Sequence, residues 1–387
     1  MRILVLGGDG YLGWPTALHL SACGHDVAVA DNFARRGYDH ELGVDSLVPI
    51  ETLQSRVAVW REYTGQDIRC YIGDLVDAPF TYHIVEDFRP DAVVHFAEQR
   101  AAPYSMVDRK HAVYTQTNNV IGNLNLLYAI AETNPDIHLV KLGTMGEYGT
   151  PNIDIEEGWL EVEHKGRKDR VLFPKRPGSF YHLSKVHDSH NIEFACRIWN
   201  LRATDLNQGV VYGQQTPETA RDERLATRFD YDAVFGTVLN RFVIQSVLGQ
   251  PLTVYGEGSQ TRGLIDIRDT VRCVQIACEN PADQGEFRVF NQMTESMSVG
   301  QIAETIARCS PDAVKIEHLD NPRVELYGHY YNVTHTRLVE LGLEPHLLSD
   351  TLIDSLLGIT KRYAHRVRLE ALRPTIQWRK PASEATK

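Results

Sequence analysis

Tyr181 and Lys185 are the side chains that most directly suggest chemistry. They stand four positions apart in the segment Ser179–Trp199, whose pattern predicts a helix. Residues at positions i and i+4 project from one helix face, so the phenol and the ammonium should lie side by side. A phenol normally titrates near ~10, but a neighbouring ammonium stabilises its phenolate. Such a pair can take a proton from an alcohol while hydride leaves the same carbon, although Tyr-x-x-x-Lys also occurs on exposed structural helices.

A glycine-rich turn near the start supports the chemical interpretation. Gly7, Gly10 and Gly13 directly follow a predicted strand and precede a predicted helix, in the order G-x-x-G-x-x-G. The first glycine permits a tight turn, the second lets the backbone approach a diphosphate, and the third lets the helix pack on the strand. The helix N-terminus then presents N–H groups to phosphates. This arrangement predicts a dinucleotide site, with a tight turn that binds no ligand as the weaker alternative.

Acidic residues at the ends of the next two predicted strands refine the cofactor prediction. Asp31 lies 18 residues past Gly13, where a carboxylate binds both hydroxyls of an adenosine ribose. It favours NAD, because it would repel the 2′-phosphate of NADP, whereas Arg35 and Arg36 keep NADP as an alternative. Asp74, directly after the third strand, either meets the adenine edge or caps a helix.

The elements that must position these residues follow a regular order in the first half of the chain. Short apolar runs alternate with longer amphipathic segments, among which 14–23 and 117–131 are helical candidates. Nearly continuous apolar runs are typical of strands buried on both faces of a parallel sheet. The alternation predicts right-handed βαβ units and an α/β fold with a Rossmann-type doubly wound sheet. The predicted strands are Arg2–Leu6, Asp26–Ala30, Ile68–Ile72, Ala92–Phe96 and His138–Leu142.

The second half is less regular and predicts a smaller mixed α/β lobe. We expect 1–207 to form the cofactor domain, 208–380 mainly the substrate-binding lobe, and 381–387 a tail, with segments such as 262–272 returning to the first domain. Short strands at Leu252–Tyr255 and Arg288–Asn291 are assigned to this lobe, with helices at 299–308 and 350–361.

The segment Gln214–Asp230 is charged and lacks helical caps or strand alternation. This pattern predicts a long surface loop that could act as a lid.

Composition excludes several classes of protein. The 387 residues carry a net charge of −11 with scattered Lys and Arg, which argues against a nucleic-acid binder. No apolar stretch is long enough to span a membrane, so membrane insertion is not expected. The six cysteines are sparse and lack CxxC spacing, and no secretory pattern opens the sequence. These features predict a cytoplasmic protein with reduced thiols.

Several motifs together carry a resemblance to a known superfamily. They resemble the extended short-chain dehydrogenases/reductases through Gly7/Gly10/Gly13, Asp31, Lys141-Leu142-Gly143-Thr144, Tyr181-x-x-x-Lys185 and Gly209-Val210-Val211-Tyr212-Gly213. Three longer runs are more specific and resemble the family of UDP-sulfoquinovose synthases, from Met1 to about Lys380: Phe96-Ala97-Glu98-Gln99-Arg100, the run from Gly143 to Asn152, and the run from Phe180 to His190.

This resemblance implies a reaction without net oxidation. NAD takes hydride from C4 of UDP-glucose, the C6 hydroxyl is eliminated, sulfite adds at C6, and the hydride returns to C4. Thr144, just after the fifth strand, resembles the threonine that holds the C4 oxygen. Tyr181 resembles the base, and Lys185 resembles its partner, which also holds the nicotinamide ribose.

The sequence departs from related 4,6-dehydratases directly after Thr144. Those enzymes usually carry Asp-Glu there as acid and base for the elimination, whereas this chain has Met145 and Gly146. Glu147 and His182 are the alternative candidates for the elimination chemistry, and Met145 is also included among the predicted catalytic residues. A buried structural glutamate and a structural histidine are the competing interpretations.

The expected binding residues fall into two groups. For the cofactor we expect contacts from Gly7, Asp9, Gly10, Tyr11, Leu12, Gly13, Asp31, Asn32, Arg35, Arg36, Asp74, Leu75, Phe96, Ala97, Asn118, Tyr181, Lys185 and Val211. For the nucleotide sugar and sulfite we expect Arg100, Thr144, Gln208, Asn240, Thr253, Tyr255, Gln260, Arg262 and Arg323. No metal is expected. Arginine offers charge-assisted contacts to a diphosphate or to a small anion, and a structural salt bridge is the alternative for Arg100.

Rival functions remain open from the sequence. A nucleotide-sugar 4-epimerase or 4,6-dehydratase would share C4 oxidation but would need no sulfite. A non-catalytic dinucleotide sensor is a second rival, against which the intact Thr144, Tyr181 and Lys185 argue. The resemblance also implies a homodimer formed through helices around 118–131 and 181–199, and the sulfur chemistry leaves room for a sulfite-delivering partner protein.

Overall fold

The computed structural model describes residues 1–323 and 330–378. The predicted tail, 381–387, lies outside the described residues. In chain order the described strands are β1 Arg2–Leu6, β2 Asp26–Asp31, β3 Ile68–Ile72, β4 Ala92–His95, β5 His138–Thr144, β6 Trp159–His164, β7 Arg167–Leu172, β8 Arg202–Gln208, β9 Val210–Tyr212, β10 Leu252–Tyr255, β11 Thr261–Asp266, β12 Phe287–Gln292, β13 Glu295–Ser298 and β14 Ile316–Leu319.

Helices separate most of these strands. They are α1 Gly13–Ala22, α2 Ala34–Leu42, α3 Leu53–Thr64, α4 Ala78–Phe88, α5 Ala102–Ser105, α6 Arg109–Gln116, α7 Gly122–Thr133, α8 Phe180–Trp199, α9 Val238–Val247, α10 Ile267–Glu279, α11 Val299–Cys309, α12 Arg337–Glu340 and α13 Asp350–Tyr363. A π-helical turn, Thr117–Ile121, joins α6 to α7.

A seven-stranded parallel sheet forms the centre of the molecule, in the order β3-β2-β1-β4-β5-β8-β12. Side chains alternate across it as the pleat requires: in β1, Ile3 and Val5 pack on one face and Leu4 and Leu6 on the other. Helices α1, α3 and α10 cover the first face, and α4, α7 and α8 cover the second. The predicted Rossmann-type α/β fold is therefore confirmed, with all five predicted strands in place.

A smaller lobe packs around a separate apolar cluster. It contains the sheet β13-β11-β9, the pair β10-β14, and helices α9, α11 and α13. An antiparallel hairpin, β6-β7, projects between β5 and α8. No helix in the described ranges is long and apolar enough to cross a membrane.

The prediction that Arg288–Asn291 belongs to the smaller lobe is wrong. The strand β12 pairs in parallel with β8, from Phe287 opposite Ala203 to Gln292 opposite Gln208, and so completes the central sheet. The preceding helix α10 also returns to the first domain and packs in the core cluster beneath α1. Both faces of this strand are buried, so its short apolar run matches a central strand as well as a lobe strand.

The prediction that Gln214–Asp230 is a surface loop is also wrong. Leu225 packs in the core of the first domain, where its carbonyl accepts a hydrogen bond of 2.9 Å from the Trp14 indole, and Phe229 packs in the core of the second lobe. Buried ion pairs hold the charged residues at the end of the segment, as with Arg228 and Asp230 at 3.3 Å. The segment therefore joins the two cores.

Candidate active site

A cleft opens where the strands of the central sheet end, at the carboxyl edge at which doubly wound folds bind ligands. Most of the predicted cofactor positions line this cleft: Gly7, Gly10, Tyr11, Leu12, Gly13, Asp31, Asn32, Arg35, Asp74, Leu75, Phe96, Ala97, Asn118, Tyr181 and Lys185. Its described wall does not include Asp9, Arg36 or Val211. It does include Ala30, Ala34, Tyr38, Gly73, Glu98, Gln99, Leu142 and Phe235, which were not predicted.

The glycine turn has the geometry that a dinucleotide requires. Gly7 has φ +88°, a conformation that favours glycine, and a Cβ on Gly13 would lie 2.0 Å from the Gly7 carbonyl oxygen. The start of α1 can therefore approach the end of β1 only if Gly13 lacks a side chain. The N-terminus of α1 consequently faces the cleft with free space for phosphates.

The Asp31 carboxylate lies on the cleft wall and is held by the glycine loop. It accepts hydrogen bonds from the backbone N–H groups of Asp9, at 2.8 Å, and Phe33, at 2.7 Å. Burial raises the pKa of Asp31, and these two donors oppose that shift. Asp9 itself turns away from the cleft and accepts bonds from Arg36 and Arg56.

Arg35 and Arg36, which made NADP an alternative cofactor, both form ion pairs with carboxylates of the protein. Arg36 donates to Asp9 through two nitrogens, at 2.7 and 2.9 Å. Arg35 pairs with Asp39 and, at 3.0 Å, with Asp230, and its guanidinium lies 3.7 Å from the centre of the Phe235 ring. Because these charges are already compensated, the adenosine end of the cleft suits NAD better than NADP.

Asp74 also lies on the cleft wall. Its carboxylate accepts from the Asn32 amide at 3.0 Å and from the Val76 N–H at 2.9 Å. The residue at the N-cap of α4 is Asp77, so the helix-cap alternative for Asp74 is wrong. The other prediction for Asp74, a contact with the edge of the adenine ring, stays a prediction.

The structure brings Tyr181 and Lys185 to the inner end of the cleft on α8. The Ser179 hydroxyl caps this helix by accepting from the His182 N–H at 3.1 Å, and the Tyr181 N–H donates to Ser105 Oγ at 3.0 Å. Lys185 Nζ donates to the Leu142 carbonyl at 2.6 Å and lies 2.9 Å from Glu98 Oε2. The residue pair therefore has the side-by-side placement that its spacing predicted.

The pKa of Tyr181 is raised, contrary to the expectation from the Lys185 charge alone. Burial of the phenol is the largest cause, the Lys185 ammonium opposes it, and the Glu98 carboxylate adds to the increase. The sequence indicated the ammonium but not the carboxylate that compensates it.

Thr144 ends β5 beside this pair. Its Oγ1 accepts from the Gly146 N–H at 3.2 Å, and its own N–H donates to Glu147 Oε1 at 3.1 Å. No described residue accepts the hydrogen of the Thr144 hydroxyl. That hydroxyl can therefore donate to a substrate oxygen.

Glu147 lies beneath Thr144 and is fully buried. Its carboxylate accepts hydrogen bonds from Lys175 at 2.5 Å, from Lys141 at 3.3 Å and from the Ser189 hydroxyl at 3.0 Å. It also accepts the bond from the Thr144 N–H. Although burial raises its pKa, these charges and donors prevail and lower the pKa to about 2. A carboxylate that is so stabilised is a weak base, which favours the structural interpretation of Glu147.

His182 packs against the segment that follows Thr144, and Met145 belongs to that segment. A Cβ on Gly146 would lie 2.4 Å from His182 Nε2, so the imidazole occupies the space into which a longer residue at this position would project. The other ring nitrogen, Nδ1, is 3.0 Å from the Ser179 hydroxyl. Met145 is buried in a small apolar cluster with Tyr148 and Phe173, which makes it a packing residue.

Among the predicted substrate residues only Arg100 lines the described cleft, where it pairs with Asp230. The others already have partners within the protein. Gln208 donates to Gln292, at 3.1 Å, and Asn240 to the Asp230 carbonyl, at 2.8 Å.

The remaining predicted contacts gather near β10 and β11. The Thr253 hydroxyl accepts from Gln245, at 2.8 Å, Gln260 donates to the Tyr255 carbonyl, at 3.0 Å, and Arg262 donates to the Thr261 carbonyl, at 3.0 Å. The Arg323 guanidinium lies 5.4 Å from the centre of the Trp378 ring.

Arg241 on α9 is a buried cation that was not predicted. It donates to the Thr253 carbonyl at 2.9 Å and lies 4.3 Å from the centre of the Tyr255 ring. Burial lowers its pKa, the Tyr255 hydroxyl opposes this shift, and the nearby Arg323 charge adds to it. The sequence pattern of an amphipathic helix gave no signal for a buried arginine at this position.

Comparisons with known proteins agree with this geometry. Residues 3–291 match the model of the NAD dependent epimerase/dehydratase family. The chain is 57% identical over 382 residues to the chloroplastic UDP-sulfoquinovose synthase of Spinacia oleracea, covering 98% of this chain and 79% of the relative. It is 45% identical over 391 residues to the UDP-sulfoquinovose synthase of Sulfolobus acidocaldarius, covering 98% of both. The chain belongs to the UDP-sulfoquinovose synthases of the NAD-dependent epimerase/dehydratase family.

A solved structure supports the fold of this chain. The UDP-glucose 4-epimerase of Bifidobacterium longum, in complex with NAD⁺ and UDP, matches with a TM-score of 0.69 and 18% identity, covering 94% of this chain and 98% of that one. The cofactor of this chain is NAD, and the residues of the cleft fit that group. Gly7 and Gly13 leave free space beside the N-terminus of α1, where phosphates would lie, and the Asp31 carboxylate and Lys185 both lie on the wall of the same cleft, where they would contact the cofactor.

Proposed function

We propose that the cleft converts UDP-glucose and sulfite to UDP-sulfoquinovose and water, with the residue roles given below. The single observation that carries this proposal is the placement of Tyr181 and Lys185 on the wall of a dinucleotide cleft, with Lys185 bonded to the strand β5 that ends at Thr144 and with His182 filling the space beside Gly146. When bound, NAD supplies the acceptor for the C4 hydride and later returns that hydride, so the sugar undergoes no net oxidation.

Thr144 and Tyr181 handle the C4 oxygen. The Thr144 hydroxyl donates to this oxygen and fixes its position, because the Gly146 N–H already occupies a lone pair of the threonine. The Tyr181 oxygen takes the C4 hydroxyl proton as the ketone forms and gives it back when C4 is reduced. Lys185, held by the Leu142 carbonyl, orients the nicotinamide ribose and stabilises the phenolate.

His182 carries the elimination. A C4 ketone acidifies the C5 proton, and a base near C5 must remove it while the C6 hydroxyl leaves as water. The imidazole lies beside Gly146, the second of the two positions at which related dehydratases carry their acid and base, and Ser179 holds its other ring nitrogen. Sulfite sulfur then attacks C6 of the resulting enone, and C5 regains a proton.

Arginines bind the anionic parts of the substrates. Arg100 lies on the cleft wall with about a third of its side chain exposed, at 37%, which suits a mobile small anion such as sulfite. Arg241 lies 4.3 Å from the centre of the Tyr255 ring and close enough to Arg323 for their charges to interact, and two neighbouring guanidiniums suit the diphosphate of UDP.

A test of the activity uses UDP-glucose, sulfite and the NAD-loaded protein. We expect a nucleotide-sugar product in which a carbon–sulfur bond replaces the C6 hydroxyl, detected by mass spectrometry. A product of unchanged mass with inverted C4 would indicate a 4-epimerase. A 4-keto-6-deoxy product that is indifferent to sulfite would indicate a 4,6-dehydratase, and either result would end the proposal.

We propose a homodimer formed through α7 and α8. These helices present Tyr128, Phe194 and Ile198, each about half exposed at 48%, 48% and 54%, around the partly buried Trp199. A contiguous apolar patch on a helix pair is typical of a protein–protein contact. Sedimentation equilibrium is expected to show a dimer that Phe194→Glu dissociates, whereas Val339→Glu, which changes an equally exposed apolar residue elsewhere, should not. A wild-type monomer at micromolar concentration would contradict this.

Two further proposals concern the surroundings of the protein. All six cysteines are unpaired, which supports a reducing compartment such as the cytoplasm.

The small size and reactivity of sulfite suit delivery by a partner protein. Comparing turnover with free sulfite at low and high concentration, in the presence and absence of cell extract, would test whether such a partner is needed.

A further inference from the structure

Glu98 forms a buried ion pair with Lys185 that the reaction outlined above does not use. Its Oε2 lies 2.9 Å from Lys185 Nζ, and both side chains are almost completely buried, at 1% and 3% exposure. Glu98 also lines the cofactor cleft. No group in the described ranges other than Lys185 reaches either carboxylate oxygen with a hydrogen bond.

The other charges around this pair do not replace Glu98. From β4, His95 lies 3.7 Å from Glu98, and burial lowers the pKa of this histidine to about 4, so it is neutral. From β5 and the turn after it, Lys141 is paired with Glu147 and Asp205. On α8, burial raises the pKa of Asp188 well above its ordinary value, and the Glu98 charge adds to the increase.

The remaining titratable groups that face Tyr181 are His182 on its own helix and Arg100 on the loop after β4. Arg100 is paired with Asp230. Glu98 is thus the carboxylate that directly compensates the ammonium next to the phenol.

We propose that Glu98 is a positioning residue that compensates the charge of Lys185 and so keeps the proton on Tyr181 between the two hydride transfers. This inference deepens the proposed function and rests on it for the roles of Tyr181 and Lys185. Glu98 touches the ammonium and acts on the phenol through it.

The reaction needs this charge compensation because Tyr181 acts in two steps, first as the acceptor and later as the donor of the C4 proton. The proton taken from the C4 hydroxyl has to remain on the phenol oxygen while water leaves and sulfite adds, and then return to the C4 oxygen with the hydride. An uncompensated ammonium would stabilise the phenolate and favour loss of that proton. With Glu98 beside Lys185, the phenol holds the proton more firmly. The proton is therefore still on Tyr181 when the hydride returns to C4 and the ketone is reduced.

The first experiment needs neither sulfite nor turnover. The near-ultraviolet absorbance of tyrosinate is titrated in the NADH-bound wild-type protein, the cofactor state between the two hydride transfers, with NADH-bound Tyr181→Phe as the reference for the other tyrosines. We expect the difference signal to show Tyr181 protonated at neutral pH and ionising only above it. A phenolate at neutral pH in the wild type would overturn the proposal, whether or not any Glu98 variant folds.

The second experiment uses Glu98→Gln, which removes the charge and keeps the shape. We expect the Tyr181 titration, and the alkaline rise in C4 oxidation followed as bound NADH after addition of UDP-glucose, to move together by about one pH unit toward acid. Glu98→Asp should restore part of the wild-type titration. A merely structural role would lower rates without moving either curve, and a titration that does not move, or moves toward alkali, would overturn the proposal.

The outcomes separate this inference from the proposed function. If the tyrosinate titration behaves as expected but no sulfonated product forms, the charge compensation stands and the sulfonation proposal fails. If sulfonation is observed while Glu98→Gln leaves both pH curves in place, the inference about Glu98 fails alone.

Discussion

Tyr181→Phe is expected to lower the rate of C4 oxidation by at least about a hundredfold while NAD remains bound. The substitution removes the only oxygen assigned to accept the C4 hydroxyl proton, and general acid–base catalysis by a positioned side chain typically contributes about 10²–10⁴ in rate. The phenylalanine ring preserves most of the packing, because Tyr181 is buried on α8. The measurement is bound NADH absorbance after mixing with UDP-glucose, together with the NAD content of the purified variant.

Two further variants make this result specific. Tyr38→Phe removes another hydroxyl from the wall of the same cleft, one that bonds to Tyr114, and should leave the rate within a small factor of wild type. Lys185→Ala should lower both the rate and NAD retention, because Lys185 is placed to contact the cofactor as well as the phenol. Retention by Tyr181→Phe of more than roughly a tenth of the rate, a barrier change below ~1.4 kcal/mol, would show that the base is wrongly assigned.

The central sheet was predictable because its signals are local. The apolar runs of β1 to β5 and the glycine turn need no distant partner to be recognised, and the structure has all five strands with bounds that differ by two residues at most. The i to i+4 spacing likewise placed Tyr181 and Lys185 together on α8. These features follow from backbone geometry and burial alone.

The errors fall where charged residues are buried. The segment Gln214–Asp230 was predicted as a surface loop because charge usually indicates exposure. Its Arg228 and Asp230 instead pair with Asp39 and Arg35, almost two hundred residues away in sequence. A single sequence does not reveal such partners, since pairing depends on the completed fold.

The same reason explains the mixed outcome at the candidate site. The backbone-determined part of the cofactor cleft was predictable, but the opposing wall formed by Tyr38 and Phe235 was not, because no motif marks it. The compensation of Lys185 by Glu98 was missed in the same way, although Glu98 stands in one of the runs that carried the family resemblance. Local spacing therefore predicts which residues react, and tertiary pairing determines their charge.

His182→Ala is expected to suppress exchange of the C5 proton in deuterated water by about a hundredfold or more while C4 oxidation continues. Without sulfite, the C4 ketone still acidifies C5, so deuterium enters that position whenever a base removes the proton. The imidazole beside Gly146 is the candidate base, and its loss leaves Thr144, Tyr181 and Lys185 in place. Deuterium at C5 is measured by nuclear magnetic resonance, and C4 oxidation by bound NADH. His187→Ala, on the exposed side of the same helix, is the matched control.

Glu147→Gln tests the competing assignment, in which Glu147 rather than His182 is the base of the elimination. A glutamine would remove the carboxylate that pairs with the buried Lys175, would leave Lys141 with Asp205 alone, and would weaken the bond that holds the Thr144 N–H. Removing one partner from a buried ion pair typically costs about 3–5 kcal/mol, so we expect a large loss of thermal stability. In the fraction that remains folded, C4 oxidation and C5 exchange should fall by similar factors, because both depend on the position of Thr144. If Glu147→Gln abolished exchange while oxidation persisted, and His182→Ala left exchange intact, Glu147 would be the elimination base despite its four donors.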